Sequence, residues 1–192
     1  MVRRPGDCGG SGLHGVFGAS PCPRSTEELG FDGFAVGERH HTPFLSSAPP
    51  VLLSHIAAVT SKIRLFTGVT LLSVLDPVRV AEDYATRDHL SGGRVELIIG
   101  KGNGPEQAEL FGIGRLEAWD TIAENYRLLR QLWSGHKVTW TPAEGVPSIR
   151  KAPLTDAIDI GQQVIPIVRA EVAKRDRAAL DQAGAGAGRA AV

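Results

Sequence analysis

The alternation of strand-like apolar runs with helical segments constrains the fold of this chain more than any other feature. Three short, mostly apolar runs predict buried strands, at residues 31–38, 63–72 and 94–100. Residues 49–62 and 76–93 lie between them and have the apolar spacing of helices. The order strand, helix, strand, helix, strand predicts parallel strands joined by right-handed crossovers, and therefore an α/β fold.

The second of these helices has the clearest boundary signals. Asp76 is the expected N-cap residue and Pro77 suits the first helical position. The pair Gly92 and Gly93 is expected to end the helix, because glycine adopts the left-handed conformation common after a helix. These local signals fix the position of one crossover.

The patterns after residue 100 are weaker. They predict a short helix at 104–112, a long amphipathic helix at 117–133, a strand at 137–140, a loop at 141–155 and a last helix at 157–182. One stripe of the long helix is expected to be buried, and it consists of Trp119, Ile122, Tyr126, Leu129 and Trp133.

Composition sets the domain limits. Residues 1–25 are rich in Gly and Pro and predict an irregular N-terminal segment. Residues 183–192, AGAGAGRAAV, predict a low-complexity tail. Because 42% of the residues are hydrophobic, the segment between them, 26–182, can bury one core and is expected to form one domain.

Charge and cysteine content exclude several function classes. With 21 basic and 21 acidic residues, the chain has no electrostatic bias toward nucleic acid or an anionic membrane. Cys8 and Cys22 provide neither a disulfide framework nor a zinc pattern, so no metal site is predicted. No run approaches the ~20 apolar residues of a membrane span, and no signal peptide is evident. We therefore expect a cytoplasmic protein with no membrane or nucleic-acid partner.

Three stretches of the chain carry a family resemblance. They are ELGFDGFAVGERHHTPF, IRLFTGVTLLSVLDPVRVAEDYATRDHLSGGRVELIIGKGNGPEQAELFG and QQVIPIVRAEV. Their order and close spacing resemble the bacterial luciferase-like family of flavin-dependent monooxygenases. The resemblance implies a TIM barrel that binds reduced flavin at the C-terminal ends of its strands. It also implies oxidation of a small organic substrate with oxygen.

The resemblance further implies the cofactor and its source. Reduced FMN is the expected cofactor, and a deazaflavin used for hydride transfer is the alternative. A separate reductase is expected to supply the reduced flavin.

The stretch GERHHTPF, residues 37–44, contains the candidate catalytic residues. The resemblance places the family's acid and paired histidines on Glu38, Arg39 and His40, with His41 one position later. An imidazole that titrates near neutrality can move protons, and an adjacent cation can stabilise negative charge on bound oxygen. Arg39, His40 and His41 are thus predicted to be catalytic, with Glu38 beside the cofactor. A loop of solvated polar residues is the alternative.

Two further stretches are expected to contact the flavin. In TGVT, the resemblance implies a non-proline cis peptide between Gly68 and Val69, with Thr67, Gly68 and Val69 beneath the flavin ring; a strand bulge is the alternative. The glycines of GKGNG alternate, so this stretch is no dinucleotide-binding fingerprint. The resemblance assigns Lys101 to the flavin phosphate and Asn103 to the cofactor site. A plain exit from the strand is the alternative.

The number of strands departs from the family. A complete barrel needs eight strand-helix units in at least ~200 residues, whereas three strands are evident here, equivalent to the family's second to fourth. We therefore expect a partial (β/α)8 barrel of three to four parallel strands, in a truncated or internally deleted member. Its exposed sheet edges favour a homo-oligomer. A non-catalytic remnant without a complete flavin pocket is the alternative to an enzyme.

Overall fold

In the computed structural model the described residues are 22–41, 46–114, 116–146, 150, 152–157 and 177. The described helices are α1 (Pro23–Glu28), α2 (Pro49–Val59), α3 (Pro77–Ser91), α4 (Pro105–Phe111) and α5 (Ala118–Leu132). The described strands are β1 (Gly33–Val36), β2 (Arg64–Thr67), β3 (Thr70–Leu71), β4 (Val95–Glu96), β5 (Ile99–Gly100), β6 (Val138–Trp140) and β7 (Leu154–Ala157). The first 21 residues, the tail and most of the predicted last helix lie outside the described residues.

The strands before residue 101 are parallel, as the sequence predicts. Strands β1, β2 and β4 form one sheet in that order, and β3 pairs with β5 in a second. The register of β1 on β2 runs from Gly33 opposite Arg64 to Val36 opposite Thr67. Helices α2 and α3 are the crossovers, and the α/β prediction is confirmed.

Two predicted strands are each interrupted, which corrects the prediction of continuous runs at 63–72 and 94–100. The first break is the cis peptide between Gly68 and Val69, which separates β2 from β3. The second lies opposite it, around Ile98. The Thr67 hydroxyl donates to the Ile98 carbonyl at 2.9 Å and accepts from its N–H at 3.3 Å. A side chain therefore satisfies backbone groups that a regular ladder would pair.

The predicted boundary residues of α3 are confirmed. The Asp76 carboxylate accepts a hydrogen bond of 2.8 Å from the Val78 N–H, and Pro77 is the first helical residue. Gly92 adopts the left-handed conformation with φ of 68°, and its N–H donates to the His89 carbonyl at 3.1 Å. The two termini of this crossover are therefore encoded locally.

Helix α1 begins at Pro23, inside the segment predicted to be irregular. Proline occupies its first position, and both the N–H and the hydroxyl of Thr26 donate to the Cys22 carbonyl. Six residues are too few for hydrophobic periodicity to reveal a helix, so the pattern could not show it.

The long helix α5 buries a different face from the one predicted. Ile122 and Leu129 are buried as expected, but Trp119 is 61% exposed and Tyr126 is also exposed. The Trp133 indole is partly buried and donates to the Ala81 carbonyl at 3.3 Å. The buried face comprises Ala118, Thr121, Ile122, Glu124, Asn125, Leu128, Leu129 and Leu132. Small and polar residues complete this face, and hydrophobicity alone therefore misplaced its centre.

The strand predicted at 137–140 is confirmed as β6, while the loop predicted at 141–155 is only partly correct. Its end forms β7, which pairs antiparallel with β6 and places Leu154 opposite Trp140. Ala157, the predicted start of the last helix, also belongs to β7. This pairing depends on a contact across a long connection, which a local pattern does not encode.

The main core lies between the sheet and helices α2, α3 and α5. Its fully buried members include Leu53, Ile56, Leu65, Leu72, Leu128 and Leu129. A second, smaller cluster is formed by Leu71, Val74 and Ile113, with Val69, Leu75 and Phe111 packed against it. This second cluster includes the end of β3, and Leu75 packs against both clusters.

Candidate active site at the strand ends

The predicted site residues follow parallel strands, so their segments lead away from the same end of the sheet. We call them the strand-end cluster: Glu38, Arg39, His40, His41, Thr67, Gly68, Val69, Lys101 and Asn103. Side-chain contacts join the loop after β1 to β3 and to the loop after β5, as described below. In α/β barrels this end of the strands is where active sites are built.

Glu38 connects the loop after β1 to β3. Its side chain is only 2% exposed. One carboxylate oxygen accepts a hydrogen bond of 2.9 Å from the Leu71 N–H, and the other lies 3.0 Å from Nε2 of His40. Burial raises the pKa of Glu38, and the hydrogen bonds from Leu71 and His40 oppose that rise without cancelling it. This carboxyl therefore takes up a proton more readily than an exposed glutamate.

His40 is enclosed between an acid and an aromatic ring. Its side chain is 9% exposed, and its ring contacts Phe111 edge to face, with centroids 4.9 Å apart and an interplanar angle of 80°. Nε2 faces Glu38, and within the described part of the chain Nδ1 has no hydrogen-bond partner. The arrangement leaves one ring nitrogen for proton exchange.

Arg39 and His41 reach the segment after β5. Nη1 of Arg39 donates to the Asn103 side-chain oxygen at 3.0 Å, and the Arg39 N–H donates to the Ser46 carbonyl at 3.1 Å. Nε2 of His41 lies 4.0 Å from a carboxylate oxygen of Glu106 on α4. The structure therefore brings Arg39 and Asn103 together, while His41 faces α4 and not the Glu38 carboxylate.

The Thr67–Val69 turn contains the expected cis peptide between Gly68 and Val69. Thr67 is fully buried, and its hydroxyl bonds Ile98 and accepts from Thr70 at 3.1 Å. A Cβ on Gly68 would meet only Ala35, at an ordinary 3.7 Å. No atom of the described residues thus crowds Gly68, and among them a flat ligand has room to approach its backbone.

Lys101 lies beside a small pocket after β5. Its ammonium donates to the Gly102 carbonyl at 3.2 Å. Ser73, Gly104 and Gln107 also line the pocket, and the buried Oε1 of Gln107 has no partner among the described residues. The Lys101 ammonium thus places a positive charge beside this pocket.

Sequence reasoning missed the residues that hold the cluster in place. Tyr84 of α3 shares a hydrogen bond of 2.5 Å with Thr70, which continues the hydroxyl chain from Thr67. Burial raises the pKa of Tyr84, so this hydroxyl stays protonated. Leu71 acts through its N–H, which no side-chain pattern reveals. Phe111 was recognisable only as an apolar residue at the end of α4.

The described residues contain no group of three or more His, Cys, Asp or Glu side chains placed to hold a metal ion. No helix among them is long and apolar enough to cross a membrane.

The sequence matches a family model over residues 22–170, and that model describes the luciferase-like monooxygenases. This chain belongs to the luciferase-like monooxygenase family. The match spans more than half of the chain, and it confirms the resemblance on which the site residues were predicted.

Individual luciferase-like monooxygenases match part of the chain. N-acetyl-S-alkylcysteine monooxygenase of Bacillus subtilis is 40% identical over 79 residues, which are 41% of this chain and 24% of that protein. The crystal structure of monooxygenase RslO1 from Streptomyces bottropensis superposes with a TM-score of 0.60 at 28% identity, covering 71% of this chain and 41% of that one.

A second solved structure shows the same fold. It is the oxygenating constituent of 3,6-diketocamphane monooxygenase from Pseudomonas putida in complex with FMN, with a TM-score of 0.58 at 20% identity. The match covers 62% of this chain and 34% of that one. The chain thus spans less than half the length of each of these proteins. The predicted partial barrel of the luciferase-like type is confirmed, since the parallel strands described here form no closed barrel.

Proposed function

We propose that the strand-end cluster is the flavin-facing and proton-transferring part of a monooxygenase site that acts on a small organic substrate. The enclosed Glu38–His40 pair beside the open backbone of Gly68 carries the proposal. An acid and an imidazole in direct contact, with little access to water, are suited to general acid-base work.

The residues present fit a flavin. The Gly68–Val69 backbone would lie against the flat ring, since no atom in the described part of the chain crowds Gly68. Lys101 and Asn103 would contact the polar end, and the Lys101 ammonium would neutralise phosphate as a point charge. FMN is the preferred cofactor because the Lys101 charge, near the strand ends, suits its phosphate group. The FMN complex of the 3,6-diketocamphane monooxygenase constituent supports the same choice.

A bound reduced flavin would supply the electrons for the reaction with oxygen. His40 would hold or donate a proton at Nδ1, while Glu38 orients the ring through Nε2. Arg39 would place positive charge near developing negative charge, and its bond to Asn103 restricts where the guanidinium can point. When Nδ1 takes up a proton, the Glu38 carboxylate can accept the one on Nε2, which returns the imidazole to its neutral form.

The proposal also includes the source of the reduced flavin, the oligomeric state and the cellular location. A separate reductase would supply the flavin, since the chain shows no dinucleotide-binding fingerprint. The edges of the described sheets, which pair with no further strand among the described residues, support a homo-oligomer. The presence of only two cysteines in 192 residues supports a reducing cytoplasm.

The test is a fluorescence titration of the chain with FMN, riboflavin and a deazaflavin. We expect FMN to bind about tenfold more tightly than riboflavin, because a charge-assisted contact to phosphate is worth that much. Lys101→Ala should remove the difference and leave riboflavin binding unchanged. Lys62→Ala, at an exposed turn, is the matched control.

The titration tests flavin binding, the type of reaction and the role of Lys101. If neither flavin binds at high micromolar concentration, the chain is a remnant without a flavin pocket. If only the deazaflavin binds, the proposed reaction becomes hydride transfer and not oxygenation. A preference for FMN that survives Lys101→Ala would remove Lys101 from the phosphate site.

A further inference from the structure

Phe111 is the aromatic ring that packs against His40. The two rings meet edge to face at 4.9 Å, while Glu38 holds Nε2 at 3.0 Å. Phe111 is the last residue of α4, and Gly112 follows it with φ of 67°. The left-handed glycine turns the chain back immediately after the ring.

Leu71 of β3 is linked both to Glu38 and to Phe111, the two groups that contact the His40 ring. The Leu71 N–H in β3 bonds the Glu38 carboxylate at 2.9 Å. The Leu71 side chain belongs to the small cluster with Val74 and Ile113, against which Phe111 packs. Leu71 thus bonds the acid through its backbone, and its side chain belongs to the cluster that Phe111 packs against.

A histidine held by one hydrogen bond can still turn about its side-chain torsions. An edge-to-face ring contact limits this rotation because the alternative orientations lose the contact or clash with it. Arg39 and His41, on either side of His40, contact Asn103 and Glu106 of the same segment. The segment from Asn103 to Phe111 thus touches three consecutive residues of the loop.

We propose that Phe111 is a positioning residue, which keeps the His40 imidazole turned with Nε2 on Glu38 and Nδ1 available for proton transfer. This inference rests on the proposed function for the role of that proton. The orientation itself can be measured in the chain without any flavin. A purely structural Phe111 would contribute packing to the small cluster and leave the His40 ring unaffected.

The test is NMR of the flavin-free chain with ¹⁵N-labelled histidine, and His40→Gln identifies the His40 signals. The measured quantity is the rate at which the Nε2-bound proton exchanges with water. Phe111→Leu keeps most of the apolar volume and removes the ring. We expect exchange to become about 2- to 10-fold faster, the factor that corresponds to one edge-to-face contact. Phe111→Tyr should restore the slow rate.

Ile113→Ala is the matched control, because it removes apolar volume from the same cluster and keeps the Phe111 ring. It should lower the melting temperature and leave the exchange rate of the His40 proton unchanged. Equal exchange in wild type and Phe111→Leu, or the same acceleration in Ile113→Ala, would overturn the proposal. Absence of flavin binding would instead refute the proposed function, and this experiment does not depend on it.

Discussion

Asn125 attaches the long helix α5 to the turn that follows β3. Its side chain is fully buried, and Nδ2 donates to the Leu72 carbonyl at 2.8 Å and to the Leu75 carbonyl at 3.4 Å. The turn begins directly after Leu71, whose N–H holds Glu38. Replacing Asn125 with Ala therefore removes the support of a turn that adjoins the candidate site.

The expected loss of stability follows from these contacts. Each hydrogen bond contributes about 1 kcal/mol, and a buried carbonyl left without a donor costs about 1–3 kcal/mol. Because the 3.4 Å bond is the weaker one, we expect Asn125→Ala to lower the free energy of unfolding by about 2–4 kcal/mol.

The assay is urea unfolding followed by circular dichroism at neutral pH. Gln131→Ala, on the exposed face of the same helix, is the matched control and should change stability by less than about 0.5 kcal/mol. A loss below about 0.5 kcal/mol in Asn125→Ala would refute the reasoning that this amide supports the turn.

Three further variants test the fold and the site. Burial raises the pKa of Glu38, so the stability that this carboxyl contributes is present below its ordinary pKa of 4.5 and is lost as the pH rises through the raised pKa. Thermal melts of the wild type should show this decline in stability with pH. Melts of Glu38→Gln should not show it. Asp76→Ala should cost about 1–2 kcal/mol in urea unfolding through loss of the α3 N-cap. Gly92→Ala should cost about 1–2 kcal/mol from its positive φ alone, whereas Gly102→Ala should cost more in the same assay, because its Cβ would lie 2.8 Å from Leu71. Equal costs at the two glycines would contradict the close approach of Leu71.

The sequence predicted the parts of the fold that short-range physics determines. Asp76 and Gly92 cap a helix by contacts within a few residues, and apolar runs identify buried strands. The same reasoning failed where a distant group decides the outcome. At the break after Thr67, the Thr67 hydroxyl bonds Ile98, 31 residues away, and the orientation of α5 depends on which face packs against α3. Trp119 was placed in the core because it lies on the hydrophobic stripe of the helix, whereas small and polar residues complete the face that is buried.

The candidate site shows the same difference between features set by short stretches and features set by distant contacts. The family resemblance located Glu38, His40 and the cis peptide, because these lie within short recognisable stretches. It did not indicate that Arg39 would bond Asn103, 64 residues further along the chain. Nor could it reveal that Leu71 acts through its backbone or that Phe111 packs against His40. These contacts depend on how strand ends meet in three dimensions, which no local pattern records.

Hydrogen exchange with and without saturating FMN, resolved by peptide, tests the central claim most directly. If the strand ends bind the flavin, FMN will slow exchange in peptides that cover residues 37–41, 67–71 and 100–104. Helices α2 and α3, behind the sheet, should show little change. Saturating FMN that leaves all three strand-end segments unprotected, or protects only other parts of the chain, would contradict the claim.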